Sequence, residues 1–292
     1  MNPIAVHFGS GHALFTGAGI ILAATLIAWT PWTRRHAVLR LTALVGVVVA
    51  AMSAAPLPWC FSSLWAGAVG GWFWAERAEV RPRMRYAARG VVQLLCVGAV
   101  ALELPWQFMP SLGGGPFGTM YVIGDSISAG IGGAQERNWP TLFAAQRGVR
   151  VVDLSRGGET VSSALDRAPK VREERALVLL EIGGNDMLSH ERGDVFARDL
   201  EALLKAVTGP GRCVVMMEIP LPPACNRFGV IQRRLAREYG VPLIPKRIFM
   251  RILGGVGATV DGLHLSQAGH ERMAEILGEV LSPLLEASAS GR

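Results

Sequence analysis

Thirty-five consecutive residues, Leu41 to Ala75, contain no Asp, Glu, Lys or Arg. One helix of that length would overshoot a bilayer, which about 20 residues can span. Pro56 and Pro58 interrupt the run near its middle, so the sequence predicts two short helices, 38–55 and 59–75, folded as a tight hairpin. Met1 to Thr33 is equally free of charge. Within it, 11–29 is apolar or small throughout and suits one spanning helix. The stretch lacks a basic n-region and a convincing small-residue cleavage site, which favours a retained helix over a cleaved leader. A fourth segment, 87–104, has an uncharged core from Gly90 to Leu102 followed by Glu103. An acidic side chain costs about 2.5–3.5 kcal/mol at the bilayer centre, but near a helix end it can reach the interface. Residues 1–108 are therefore expected to form an all-α transmembrane domain of about four helices.

Composition agrees with this division. Half of the residues are hydrophobic and 18% are charged, a low share for a water-soluble chain. The net charge of +6 splits as +5 before residue 119 and +1 after it. The basic excess thus comes from arginines between apolar runs, which removes most of the support for nucleic-acid binding. Seven of the eight tryptophans precede residue 118, several at the ends of apolar runs, where an amphipathic ring prefers the membrane interface. Arg34, Arg35 and Arg40 follow the first predicted helix. Arg77, Arg81, Arg83, Arg85 and Arg89 follow the third. The N-terminus, the Pro56–Pro58 turn and the segment after Leu104 carry no Lys or Arg. With four helices, both basic loops face the cytoplasm and both chain ends lie outside. The chain is accordingly expected in the cytoplasmic (inner) membrane, with its second domain on the periplasmic side. The fourth helix decides that compartment.

Met109–Gly118 is rich in Gly and Pro and reads as a linker. Beyond it, 119–292 alternates strand and helix. Short β-type runs at 120–123, 150–154, 176–182, 213–219 and 241–244 are separated by helical candidates at 139–147, 160–167, 194–206 and 227–239, with a last helix over 267–285. Strict alternation implies a parallel sheet covered on both faces. Five strands in this length suit a flavodoxin-like three-layer α/β domain, whose ligands bind beyond the C-terminal strand ends.

The chemistry-bearing residues fall at that edge. Strand 1 ends in Gly124-Asp125-Ser126-Ile127-Ser128; taken alone, Ser126 is more simply a helix cap. Strand 2 leads into Gly157-Gly158-Glu159-Thr160, where paired glycines permit a turn that points an N–H at a substrate. Strand 3 leads into Gly183-Gly184-Asn185-Asp186. Asn185 there is either an oxyanion donor or an Asx-turn residue. Asp261-Gly262-Leu263-His264 precedes the last helix, and a carboxylate that orients an imidazole is the pairing general-base catalysis uses. His190 and His270 lack an acidic residue at that spacing. Asp125 and Asp186 are expected to cap or brace loops.

The order of these four motifs resembles blocks I, II, III and V of the SGNH (GDSL-type) hydrolases over residues 120–285. The run VLLEIGGNDML is most similar to the lysophospholipase/thioesterase branch. Glu159 and Asp153 depart from that branch's usual Asp and Asn. The resemblance implies Ser126 as nucleophile, His264 as general base and Asp261 as its orienter. It also implies an oxyanion hole of the Ser126 and Gly158 N–H groups with the Asn185 amide. The expected activity is that of a membrane-anchored serine ester hydrolase (an esterase, lipase or deacylase), with an acylated lipid or envelope glycan as substrate. An O-acyltransferase using the same triad, or a non-catalytic membrane sensor or assembly factor, is the alternative. No metal or cofactor is expected, since Cys60, Cys96, Cys213 and Cys225 form no CxxC or Cys/His ligand spacing. Cys213 and Cys225 are close enough in sequence to pair in an oxidising compartment.

Overall fold

A computed structural model describes residues 2–30, 36–77, 80–133 and 136–285, with the His36 side chain also outside the description. Arg34 and Arg35 lie outside the described residues. The chain divides into two compact units. One comprises His7–Phe108 together with Leu221–Asn226; the other is built mainly from Met109–Pro220 and the chain from Arg227 onward.

The first unit is helical. A short α1 (Pro3–Gly9), which the sequence reading did not anticipate, is divided between the two units after Val6; then come α2 (His12–Ile27), α3 (His36–Ala51), α4 (Trp59–Ala75) and α5 (Pro82–Glu103). Taken singly, only α5 with the 3₁₀ turn that extends it to Gln107 is long and apolar enough to cross a membrane among the described residues. The 16 or 17 residues of α2, α3 and α4 reach about 24–26 Å at 1.5 Å per residue, short of an ~30 Å hydrocarbon core. Arg83, Arg85 and Arg89 belong to α5 and not to a loop. Arg89 is buried, bonded to Glu76 through Nε at 2.7 Å.

The expected α3–α4 hairpin does not form: α2 packs against α3 and α5, and α4 packs against α5, whereas α3 and α4 make only marginal contact. Small residues explain the choice. A side chain at Gly17 of α2 would strike the Gly46 carbonyl of α3, so these two backbones approach as only glycine allows. Glu103 does not reach outward as the sequence reading had it; it is 0% exposed, with Gln107 Nε2 donating to its Oε1 at 2.8 Å. Apolar side chains in this unit face both ways: Leu14, Ile21, Trp72 and Val92 are buried together with Ala13, Ala18 and Ala99, while Leu41, Leu64, Leu94, Val97 and Trp74 are exposed.

The second unit is a five-stranded parallel sheet in the order β2-β1-β3-β4-β5. Its strands are β1 (Thr119–Gly124), β2 (Arg150–Asp153), β3 (Leu177–Glu181), β4 (Cys213–Met217) and β5 (Leu243–Ile244). Every residue of β1 and β3 is buried, as central strands covered on both faces require. α7 (Trp139–Arg147), α12 (Lys246–Leu253) and α13 (Gln267–Leu281) share one core with the sheet. α8 (Val161–Ala164), α10 (Gly193–Val207) and α11 (Asn226–Glu238) form the other layer, and α9 (Gly184–Leu188) is the short helix that follows β3; Phe196 of α10 meets Phe228 of α11 edge-on at 5.0 Å. The sequence reading missed α12. It also ran the helix at 160–167 too long, because Pro169 turns the chain after Ala164 into a 3₁₀ segment.

Met109–Gly118, read as a linker, packs in part. Phe117 is buried in the α/β core, and its N–H donates to the Leu284 carbonyl at 2.8 Å. All four cysteines are free thiols, so Cys213 and Cys225 do not pair here.

The strand order places a topological switch between β1 and β3. Crossovers leave those two strands toward opposite faces, and a crevice opens beyond their C-terminal ends.

Candidate active site

That crevice is a cleft of about 70 Å³, lined by Asp125, Ser126 and Ile127 after β1, by Glu181, Gly184 and Asn185 at the end of β3, and by apolar side chains that include Met217, Ile219, Phe249 and Leu263. Ser126 is half-buried and starts α6 (Ser126–Ala129). Asp125 caps this single turn, its Oδ1 accepting the Ile127 N–H at 2.9 Å. The cap belongs to Asp125, which frees the Ser126 hydroxyl from that duty. Burial pushes the Asp125 carboxyl up to about 6, against the Ile127 N–H and the charge of His264, which both pull it down.

At the end of β3 the backbone passes Gly183 at φ 109°. A side chain there would also meet Ile219 Cδ1 at 2.7 Å, so the turn that delivers Asn185 demands glycine on two counts. Asn185 Nδ2 donates to the Glu159 carbonyl at 2.9 Å and faces Asp125 Oδ2 at 3.5 Å. The second contact is too long for a committed hydrogen bond. Asp186 turns inward, accepting the Val161 N–H at 3.0 Å, and thereby anchors the start of α8. Burial raises its carboxyl above the usual range. Gly158 stands on an exposed turn, next to the residue whose carbonyl Asn185 holds. It is not among the residues that line the cleft. Glu159 is buried and ion-paired with Arg167 at 2.9 Å, so its departure from the expected Asp serves the loop's internal support.

Asp261 and His264 occupy a turn closed by an antiparallel bridge between Thr259 and Leu265. The closure brings both side chains to one side. Asp261 Oδ1 accepts the N–H groups of Leu263 at 2.9 Å and His264 at 2.8 Å, while Oδ2 meets His264 Nδ1 at 2.6 Å. The His264 ring first, then those two N–H groups, hold the Asp261 carboxyl well below the usual carboxylate range. With Nδ1 committed to Asp261, Nε2 is the ring nitrogen left for proton transfer. His264 acts electrostatically on Asp125, the neighbour of Ser126, and Leu263 lines the same cleft as Ser126. Ser126 Oγ and His264 are not hydrogen-bonded to one another in the described structure. Such bonds are commonly long until substrate arrives.

His270 is a brace outside the cleft. It is buried, with Nδ1 accepting the Trp139 N–H at 3.2 Å and Nε2 donating to Glu136 at 2.9 Å. The sequence reading overlooked Glu181 in the cleft wall. Its one signal was a lone acidic residue ending an otherwise apolar strand.

A family model described as the GDSL-like Lipase/Acylhydrolase family matches residues 122–272. The chain is 32% identical over 206 residues to Esterase TesA of Pseudomonas aeruginosa, covering 66% of this chain and 98% of that protein. It is 30% identical over 176 residues to the Escherichia coli Thioesterase 1/protease 1/lysophospholipase L1, covering 57% and 85% of the two chains. An Arylesterase of Vibrio mimicus is 30% identical over 174 residues, with coverage of 56% and 87%. The crystal structure of TesA superposes with a TM-score of 0.51 at 30% identity, over 57% of this chain and 99% of that one.

Proposed function

Because the chain belongs to the GDSL-like lipase/acylhydrolase family and is similar to proteins named as an esterase and an arylesterase, we propose that this carboxylic ester hydrolase works through Ser126, His264 and Asp261. His264 Nε2 takes the Ser126 proton as Oγ attacks the ester carbonyl. The N–H groups of Ser126 and Gly158 and the Asn185 amide hold the oxyanion. His264 then protonates the leaving alcohol, and water activated by the same ring releases the acid from Ser126. One observation carries this reading: the two-fold grip of Asp261 on His264, through its backbone N–H and its Nδ1, with His264 electrostatically coupled to the residue preceding Ser126. The 3.5 Å contact between Asn185 Nδ2 and Asp125 leaves one amide N–H available to the oxyanion. Asn185→Ala is expected to lower kcat about 10²- to 10³-fold, or ~2.7–4 kcal/mol of barrier, with KM little changed. Steady-state kinetics on a soluble ester measure it, and a loss below threefold would exclude the amide from the oxyanion hole.

The helical unit is proposed to sit in the cytoplasmic membrane, with the hydrolase unit on its outer face and an acylated lipid or envelope glycan as substrate. Its outward apolar surface supports this, since exposed Leu41, Leu64, Leu94, Val97 and Trp74 suit a lipid solvent. Arg40, Arg77, Arg81, Arg83 and Arg85 sit at the ends of α3, α4 and α5 joined by the two proposed cytoplasmic connections. The apolar cleft wall suits an acyl group. Carbonate extraction of membranes, and turnover of a lysophospholipid in vesicles beside p-nitrophenyl acetate, test the proposal. Retention in the membrane and preference for the lipid are expected. Release by carbonate, with no lipid turnover, would leave the esterase without its membrane role.

A further inference from the structure

The cleft contains a carboxyl group that the proposed mechanism does not use. Glu181 ends β3, is buried, and lines the same cleft as Ser126 and Asn185. In the sheet it lies beside Gly124, the last residue of β1, and its carbonyl accepts the Asp125 N–H at 3.2 Å. Its Oε2 accepts the Ser128 hydroxyl at 2.8 Å. That same hydroxyl accepts the Trp139 Nε1–H at 3.1 Å. Ser128 lies two residues beyond Ser126 in a helix only four residues long. A single turn cannot hold its own orientation, so the chain Trp139–Ser128–Glu181 sets the roll of the helix that presents Ser126.

We propose that Glu181 is a positioning residue for Ser126 that works only as the neutral carboxylic acid, its Oε2 receiving the Ser128 hydroxyl. The proposal rests on Ser126 being the nucleophile. The surroundings impose the neutral form. Asp125 at the start of α6 is the titratable group that faces Glu181; Ser128 on α6 and Trp139 on α7 supply the hydroxyl and indole of the chain, and Met217 on β4 is an apolar wall of the shared cleft. Burial first, and then the charge of Asp125, push the Glu181 carboxyl well above its ordinary range, against the Ser128 hydroxyl and the Asp125 and Ser128 backbone hydrogen bonds, which pull it down. Ionisation would place a second negative charge next to Asp125 in a low-dielectric site. It would also oppose the negative charge that grows on the substrate carbonyl oxygen within the same cleft. A raised carboxyl is neutral below its pKa, so the active form is lost as pH rises through that value.

The test is kcat/KM for phenyl acetate from about pH 6 to pH 10, using full-length wild type, Glu181→Gln and Glu181→Leu, with Ser126→Ala as the control. Wild type is expected to lose about tenfold or more at the alkaline end. Glu181→Gln, which keeps an acceptor for Ser128 and cannot ionise, retains about a third or more of the neutral-pH activity and shows no alkaline fall. Glu181→Leu, which leaves Ser128 without its acceptor, is reduced about tenfold or more at every pH. Superposable profiles for wild type and Glu181→Gln overturn the proposal, as does a Glu181→Gln enzyme crippled across the whole range. Activity that survives in Ser126→Ala removes the nucleophile assignment instead, a result readable apart from the Glu181 profiles.

Discussion

Ser126→Ala is expected to abolish turnover of every ester the wild-type protein hydrolyses, with kcat falling by about 10⁴-fold or more. The magnitude follows from what the hydroxyl supplies. Without Oγ no acyl-enzyme forms, and only binding and oxyanion stabilisation remain to favour direct attack by water. The fold should not suffer. Ser126 is half-buried, Asp125 provides the cap of α6, and Ser128 carries the hydrogen bonds that brace it. The variant should therefore match wild type in circular dichroism while a serine-reactive phosphonate fails to label it. Residual hydrolysis within a hundredfold of wild type would show that another group attacks the ester.

Asp261→Asn is expected to lower kcat by about 10²- to 10⁴-fold while leaving the turn folded. An Asn oxygen can still accept the N–H groups of Leu263 and His264, which now bond to Oδ1. Its other terminus, facing His264 Nδ1 at 2.6 Å in the wild type, becomes an N–H donor. The imidazole then presents a bare Nδ1 to Asn and moves its proton to Nε2, the atom that must receive the Ser126 proton. The range extends downward because both side chains are partly exposed, at 52% for Asp261 and 31% for His264, and water can hold some rings in the productive tautomer. Combined with Ser126→Ala, the substitution should add almost nothing, since the two residues act as one unit. A kcat within tenfold of wild type would mean that Asp261 does not orient the base.

The parallel sheet and the family were legible in the sequence, and for a physical reason. Parallel strands need crossovers of fixed handedness, and glycine-rich turns after buried runs mark the sheet edge where ligands bind. The four motifs could be found from local spacing because each occupies one turn: Asp261 and His264 are three residues apart and meet within that turn. The contacts that link one motif to another were not legible. Asn185 reaches the Glu159 carbonyl across 26 residues, and Glu181 reaches Ser128 across 53. No periodicity records such distances.

The helical unit divides along the same line. Apolar composition by itself determined that 1–108 would be helical, and Pro56 and Pro58 that it would break between α3 and α4. Which helices pair was decided only in three dimensions. Helices that are apolar all round carry no polar stripe to mark an inside, so neighbours in sequence need not become neighbours in space. The close approach of Gly17 to Gly46 set α2 against α3, and α4 went to α5. Burial likewise decided the state of Glu181, a residue that in sequence is one glutamate at the end of an apolar strand and in the fold sits at the wall of the cleft beside Ser126. A carboxyl group's charge depends on the dielectric and the charges around it, and those exist only once the sheet has closed over it.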